Sequence, residues 1–404
     1  MSWTLPPITP LELTASAPIK VALVTNMLPP YRVSFYSALG KLVDLTVVVD
    51  TLSEFNRSWL VEPDEVDFGL KVLDSKSFVY TRTRDDVSYQ EKRQFHFSEK
   101  VIGALKDLNP DVVISIEFGL KSIWSLVYGG FSDTPVILLS EGTPHTEGHV
   151  GAFKRTIRKL IVSQMSRYWS NGPESTRLLV DYGADAHRSD EGMTGIETNQ
   201  WRQQVEALLP DRGDIRQSLK VEGKTFLFSA SLTPRKGVKE LLEVAGLLAK
   251  RGEEFSLILL GSGEEERHID RFRGEYPEIP LVTPGFVQRD ELPKFFAAAD
   301  WAVLPTLDDN WPLATLETLV SGLPQIFSIY NGATSDLCEE GVTGFACDPL
   351  DQKDFLDAWS LALKQPEGRI PSNVVDQVSG YYSPESQAQR AFDSIRTVLK
   401  ENSK

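Results

Sequence analysis

The chain has 404 residues, 41% hydrophobic and 25% charged, with 42 Lys+Arg against 57 Asp+Glu for a net charge of −15. That length suits two domains at ~100–200 residues each, and the composition excludes a disordered, collagenous or disulfide-built chain. The acid excess argues against nucleic acid as a partner, because duplex binding draws on a basic surface.

Residues 1–18 are rich in Pro and Ser, carry no signal-peptide pattern and read as a disordered arm. Next come short β-branched runs, KVALVT (20–25), DLTVVV (44–49), DVVISI (111–116) and PVILLS (135–140), which read as strands buried on both faces. Helical patterns lie between them. Phe35, Leu39 and Leu42 share one helix face, and FSEKVIGALKDLNP reads as a helix capped by Ser98. FKRTIRKLIVSQM (153–165) places Phe153, Ile157, Leu160 and Ile161 on one face, and Lys154, Arg155, Arg158 and Lys159 on the other. Such a helix suits packing on its own sheet with its cations in water, or peripheral contact with an anionic membrane. The stretch 181–195 has no strong period and suits a link.

The alternation restarts with TFLFSA (225–230), the helix KELLEVAGLLAKRG, FSLILLG (255–261), IPLVTPGF (279–286), DWAVLP (300–305) and PQIFSI (324–329). The tail SPESQAQRAFDSIRTVLKE is an amphipathic helix. The expected architecture is α/β: two Rossmann-like doubly wound parallel-sheet domains facing a cleft. Residues 19–185 form the first, 186–383 the second, and 384–404 a final helix that packs back on the first. Two cysteines, Cys338 and Cys347, form no C-x-x-C pair and suit reduced thiols in the cytoplasm. No apolar run approaches the ~20 residues of a spanning helix.

Ligands of open parallel sheets sit at the carboxyl ends of strands, so the loops there carry the candidate chemistry. Arg235 and Lys236 enter a helix after 225–230, where cations and amides suit a pyrophosphate or simply a solvated turn. Gly261 and Gly263 follow a strand without the third glycine of a dinucleotide fingerprint, which reads as a tight turn near a nucleoside. Asp309 lies after strand 300–305, and Glu317 sits in the helix that follows. A carboxylate there accepts two hydroxyl hydrogen bonds, as from a ribose diol. Asn331-Gly332 makes a tight turn, with Thr334 or Ser335 as cap of a helix that ends at Gly341.

From Phe226 to Pro349 these pieces, RKGV, LLGSGEEE, PGFVQRDELPKFFAAADWAVLPT, the acid-x7-acid box DNWPLATLE, and SGLP followed by GVTGF, resemble in order and spacing the retaining GT-B glycosyltransferases of family 4, glycosyl transferases group 1. KVALVTNMLPPYRVSFYSALGK resembles the family's N-terminal half more loosely. The resemblance implies transfer of a hexosyl or related sugar from a nucleoside diphosphate sugar to a hydroxyl acceptor, with retention and without a metal or other cofactor. It implies Glu317 on the donor ribose, Asp309 on the donor sugar and Lys236 on the diphosphate. Phe286 and Val287 would hold the base through main-chain groups, and Gly332, Ala333 and Thr334 amides would touch sugar or phosphate, with Gly261 and Leu313 also lining the donor. Two departures stand out. Ser231 replaces the family's arginine, so that Arg235, or else Arg32 or Arg289, must supply the second cation, and Asp309 replaces a glutamate.

The first half is left to bind the acceptor: a glycan, a lipid-linked sugar or a small molecule. Glu141 follows strand 135–140 and Glu117 follows 111–116, as acceptor-side candidates alongside Arg32, and His145, in the loop after 135–140, is a candidate catalytic residue with Lys236, Arg235 and Asp309. His145 suits contact with a sugar as well as it suits a surface loop. His145 and His149 lack a third ligand and a helix to hold a metal. Two rival readings remain, a non-catalytic sugar-nucleotide-binding subunit and a sugar-nucleotide epimerase of the same architecture.

Overall fold

The computed structural model describes residues 18–54, 61–84, 89–366 and 368–403. The expected N-terminal arm lies outside them apart from Pro18. The chain divides into two compact units. The first takes in the described residues up to Thr83, Gln90–Glu197 and the segment from Tyr381 onward; the second is Thr198–Gly380.

In the first unit, β1 (Lys20–Thr25), β2 (Asp44–Val49) and β3 (Gly69–Val72) are followed by a two-stranded hairpin of β4 (Ser77–Arg84) and β5 (Tyr89–His96). Then come β6 (Val112–Ile116), β7 (Val136–Ser140), β8 (Arg167–Ser170) and β9 (Ser189–Asp190). The main sheet is parallel in the order β3-β2-β1-β6-β7-β8-β9. Both faces are buried, as the β-branched runs require: Val21 and Leu23 enter one core cluster, Ala22 and Val24 the other. The helix Pro384–Asn402 lays Ala388, Ala391, Phe392, Ile395 and Val398, one stripe of helical period, into the same cluster as Phe35 and Leu39. Trp169 Nε1–H donates to Ser394 Oγ at 2.7 Å and fixes its register.

The second unit holds β10 (Lys224–Ser229), β11 (Phe255–Leu260), β12 (Leu281–Gly285), β13 (Trp301–Leu304), β14 (Gln325–Ser328) and β15 (Gly344–Cys347). They form a parallel sheet in the order β12-β11-β10-β13-β14-β15. Each unit thus reverses its winding once, between β1 and β6 and between β10 and β13. At such switch points adjacent loops part and leave a crevice at the strands' carboxyl ends.

Three expectations are corrected. The stretch 181–195 is not a free link, because Ser189–Asp190 pairs with β8 as an edge strand and Asp190 takes a two-pronged ion pair from Arg167 at 2.6 and 3.0 Å. Ser98 caps nothing: it has φ +51° and its hydroxyl donates to Asp50 Oδ2 at 2.7 Å, so the helix starts at Val101. In the helix Ala152–Gln164 only part of the expected apolar face packs. Ile161 and Val162 are buried, whereas Phe153 and Leu160 are 79% and 64% exposed.

Candidate active site

The switch point of the second sheet brings together the loops leaving β10 and β13. Pro234–Lys236 is a short 3-10 turn ended by Gly237 at φ +71°, where a Cβ would lie 2.0 Å from Pro305 O. That absent side chain lets the two loops touch. Leu307 N–H and Thr306 Oγ1 donate to Arg235 O at 2.7 and 2.9 Å, stitching the cationic turn to the strand exit. Lys236 Nζ then ion-pairs with the Asp309 carboxylate. Arg235 Nη1 reaches Asp309 Oδ2 at 3.3 Å and Asp308 O at 3.0 Å. Burial alone would raise the Asp309 carboxyl, but the two cations outweigh it and hold it below its ordinary value. Burial, reinforced by Arg235, draws the Lys236 ammonium down against the pull of Asp309.

Glu317 lies on the helix Leu313–Val320 that follows the same loop, and it is buried. Burial raises its carboxyl, opposed by Arg289 at 3.4 Å. Trp201 orients this helix: its Nε1–H donates to Glu317 O at 3.0 Å and to Ser321 Oγ at 2.9 Å. The Arg289 guanidinium stacks 5.4 Å above the Trp201 ring. Phe286, at the exit of β12, is 67% exposed, and Val287 is half-buried. Ser231 is exposed. Thus Arg235, Lys236 and Asp309 come together, Glu317 joins Arg289, and Leu313 opens the helix between the two pairs.

Two expected donor contacts lose their basis. Gly261 has φ +130°, a Cβ there would lie 1.9 Å from Ala230 O, and its N–H donates to Gly285 O at 2.9 Å, so the glycine serves the close approach of the β11 and β10 exits and its amide is already bonded. The amides of Gly332, Ala333 and Thr334 are not free donors. They bond to Asp309 O at 3.1 Å, Asn331 Oδ1 at 2.9 Å and Asn331 O at 2.9 Å, and the helix they open spans only Thr334–Leu337. Neither Thr334 nor Ser335 caps it: Thr334 Oγ1 donates to Ser328 O at 2.7 Å.

In the first unit Arg32, buried in the helix Pro30–Gly40, bonds to Glu141 and to Met193 O. Glu117 Oε1 accepts from Glu141 N–H at 2.7 Å. Lys121, also buried, donates to Asn26 Oδ1. His145 sits half-buried in the turn after β7, where Gly148 N–H donates to its carbonyl at 3.1 Å; His149 is exposed. Arg158, expected in solvent, instead ion-pairs with Glu147 and lies 4.9 Å over Phe118. Among the described residues no three His, Cys, Asp or Glu are grouped to hold a metal. Trp201, Lys121 and Asn26 escaped sequence reading, since nothing in their local pattern sets them apart from ordinary helix and loop residues.

Glu117 adopts φ +65°, which a non-glycine residue rarely does. Burial, then Glu141, pushes its carboxyl up to about 7. A raised acid binds its proton more tightly folded than unfolded, so its contribution to stability falls as pH climbs from the unfolded value to about 7. Glu117→Gln is therefore expected to gain on the order of 2–3 kcal/mol over wild type on passing from acid to alkaline pH. Urea melts of both proteins on either side of neutrality check this, and parallel pH profiles would contradict it.

Residues 211–371 match the family model described as Glycosyl transferases group 1. The chain is 24% identical over 194 residues to an alpha-D-kanosaminyltransferase of Streptomyces kanamyceticus, covering 47% of this chain and 49% of the relative. It is 27% identical over 209 residues to a D-inositol 3-phosphate glycosyltransferase of Paenarthrobacter aurescens, covering 49% of each. The chain thus spans about half the length of the curated relatives it matches. Among solved structures, Anabaena HepE in complex with UDP and glucose aligns over 95% of this chain and 98% of its own, with 14% identity and a TM-score of 0.59. A glycosyltransferase of Rickettsia africae aligns over 95% and 99%, with 11% identity and a TM-score of 0.69. The chain therefore has the GT-B fold of two Rossmann-like units, and its residues 211–371 are similar to the glycosyl transferases group 1 family.

Proposed function

We propose that the protein transfers a hexosyl or related sugar from a nucleoside diphosphate sugar to an acceptor hydroxyl, with retention and without a metal. One observation carries the reading: Lys236, Arg235 and Asp309 meet at the switch point, with the buried Glu317 on the next helix. The donor ribose diol gives two O–H bonds to Glu317 and displaces Arg289 from it. The diphosphate meets Lys236 and Arg235, so the second cation has moved from the family's position, here Ser231, to 235. Asp309 holds the sugar. Cleavage of the anomeric C–O bond leaves an oxocarbenium-like sugar and a diphosphate, whose new charge the two cations stabilise. The acceptor oxygen bonds to the same face and its proton passes to the departing phosphate oxygen, which balances the exchange. The UDP and glucose bound by HepE favour a uridine donor. Thermal-shift measurements with UDP, GDP, ADP and dTDP test the reading. One of them should stabilise the chain by about 2.7 kcal/mol at a hundredfold excess over its Kd. Indifference to all four would refute it.

The protein works in the cytoplasm and touches the membrane through the helix Ala152–Gln164. Phe153 and Leu160, seven residues apart on one exposed stripe, stand beside exposed Lys154, Arg155 and Lys159 in a chain of net charge −15. Each cation near an anionic bilayer contributes about 1 kcal/mol. Sedimentation with vesicles holding anionic lipid should capture wild type, lose Phe153→Ser/Leu160→Ser, and fail with neutral vesicles. Equal capture of the double variant would contradict it.

A further inference from the structure

The carboxyl edge of the first sheet carries a polar side chain after each of five adjacent strands. In sheet order they are Asp50 after β2, Asn26 after β1, Glu117 after β6, Glu141 directly after β7, and Asn171 after β8. Asn26 and Glu117 flank the point where the winding reverses. Neighbouring strands lie about 4.8 Å apart, so the middle three residues span roughly one sugar ring.

The row is rich in acceptors and its cations are already engaged. Arg32 bonds to Glu141 and Met193 O, and Lys121 to Asn26. Glu117 is half-buried, and the Glu141 side chain is 26% exposed. At the two ends of the row, Asp50 Oδ1 and Asn171 Oδ1 are buried acceptors with no hydrogen-bond partner among the described residues, and their residues are 1% and 3% exposed. A buried acceptor without a donor is costly, so the edge is short of O–H or N–H groups. Sugar hydroxyls supply them. A phosphate brings only further acceptors and negative charge, toward three carboxyl groups whose neighbouring cations are occupied.

We propose that this edge binds an uncharged, hydroxyl-rich sugar unit, and that Glu117 selects it against phosphorylated sugars. The inference rests on the transferase reading in taking that sugar as the acceptor. Glu117 is suited to the task by its placement. Its main chain is pinned, with its N–H on Leu139 O at 2.8 Å and its carbonyl taking the Ser122 hydroxyl at 2.5 Å, and one carboxyl oxygen is held by the Glu141 amide. The other oxygen is left for a ligand hydroxyl. Facing Glu117 are Glu141 and Glu147, which hold its proton on, and Lys121, which draws it off. Above about pH 7 it is a carboxylate and accepts hydroxyls; below that it competes as a donor.

The test is saturation-transfer NMR and titration on the full chain without nucleotide. The probes are methyl glucoside, methyl mannoside and myo-inositol, each set against glucose 6-phosphate, mannose 6-phosphate and inositol 3-phosphate. At least one neutral probe should bind, about tenfold or more tightly than its phosphate, and more tightly at about pH 8 than at about pH 6. Glu117→Gln keeps the shape and the amide contact and should weaken that probe about tenfold while flattening its pH profile. Preference for the phosphates, no neutral probe bound, or a Gln variant that binds and titrates like wild type would overturn the proposal. The panel on unchanged protein stands even if the variant folds poorly. Nucleotide binding is read separately: its loss with sugar binding intact would sink the transferase reading alone, and the reverse would sink this one alone.

Discussion

Lys236→Ala is expected to lower donor turnover by about a thousandfold. A cation about 4 Å from the leaving diphosphate is worth roughly 4 kcal/mol at an effective dielectric of ~20. Removing one preorganised charge-stabilising donor from an active site typically costs about a hundred- to a thousandfold in kcat. The fold should tolerate the change, because Asp309 keeps Arg235 at 3.3 Å. Arg235→Ala should cost less, about tenfold, since part of its donor capacity is spent on Asp308 O and Lys236 remains. Steady-state release of the nucleoside diphosphate, measured for each variant, checks the ranking. If neither substitution slows release, the leaving-group assignment is wrong.

Glu317→Ala should raise the donor KM by two orders of magnitude or more. Hydrogen bonds to a charged group are worth about 1.5–3 kcal/mol each, and the ribose makes two. Stability should change little. The carboxyl is a buried acid whose proton affinity burial raises, and its one ion-pair partner among the described residues, Arg289, is 54% exposed. Glu317→Gln separates the two roles further, keeping volume and one acceptor while losing the charge. A large KM effect with an unshifted melting curve marks a binding group. A large loss of stability with unchanged KM would mark a structural one.

Much of the fold was legible because parallel strands buried on both faces leave continuous β-branched runs, as in KVALVT and DVVISI. What escaped was short or carried a weak pattern. β15 is GFAC, and its Gly344 has φ +154° with a Cβ site 1.8 Å from Gln325 O, so the residue that permits the strand also makes it read as a loop. The hairpin β4–β5 is polar and aromatic by turns and has no apolar run to announce it. The places of Lys236, Arg235 and Asp309 in the loops after β10 and β13, and of Glu317 in the helix that follows, were legible because each comes after a recognisable strand. The supporting contacts were not. Trp201 lies 116 residues before the carbonyl it braces, and spacing carries no trace of that bond. The Gly332–Thr334 amides were misjudged for a related reason. A turn's sequence shows that its N–H groups exist, whereas only the folded chain shows that Asp309 and Asn331 already accept from them.

The most direct test is a thermodynamic cycle between Glu317 and the ribose hydroxyls. Calorimetric titration would use the nucleoside diphosphate that binds best and its 2′,3′-dideoxy counterpart, each on wild type and on Glu317→Ala. If the carboxylate grips the diol, each single change costs several kcal/mol and the double change costs little more, leaving a coupling of about 2–3 kcal/mol. Additive losses, with coupling near zero, would mean that Glu317 and the ribose do not meet.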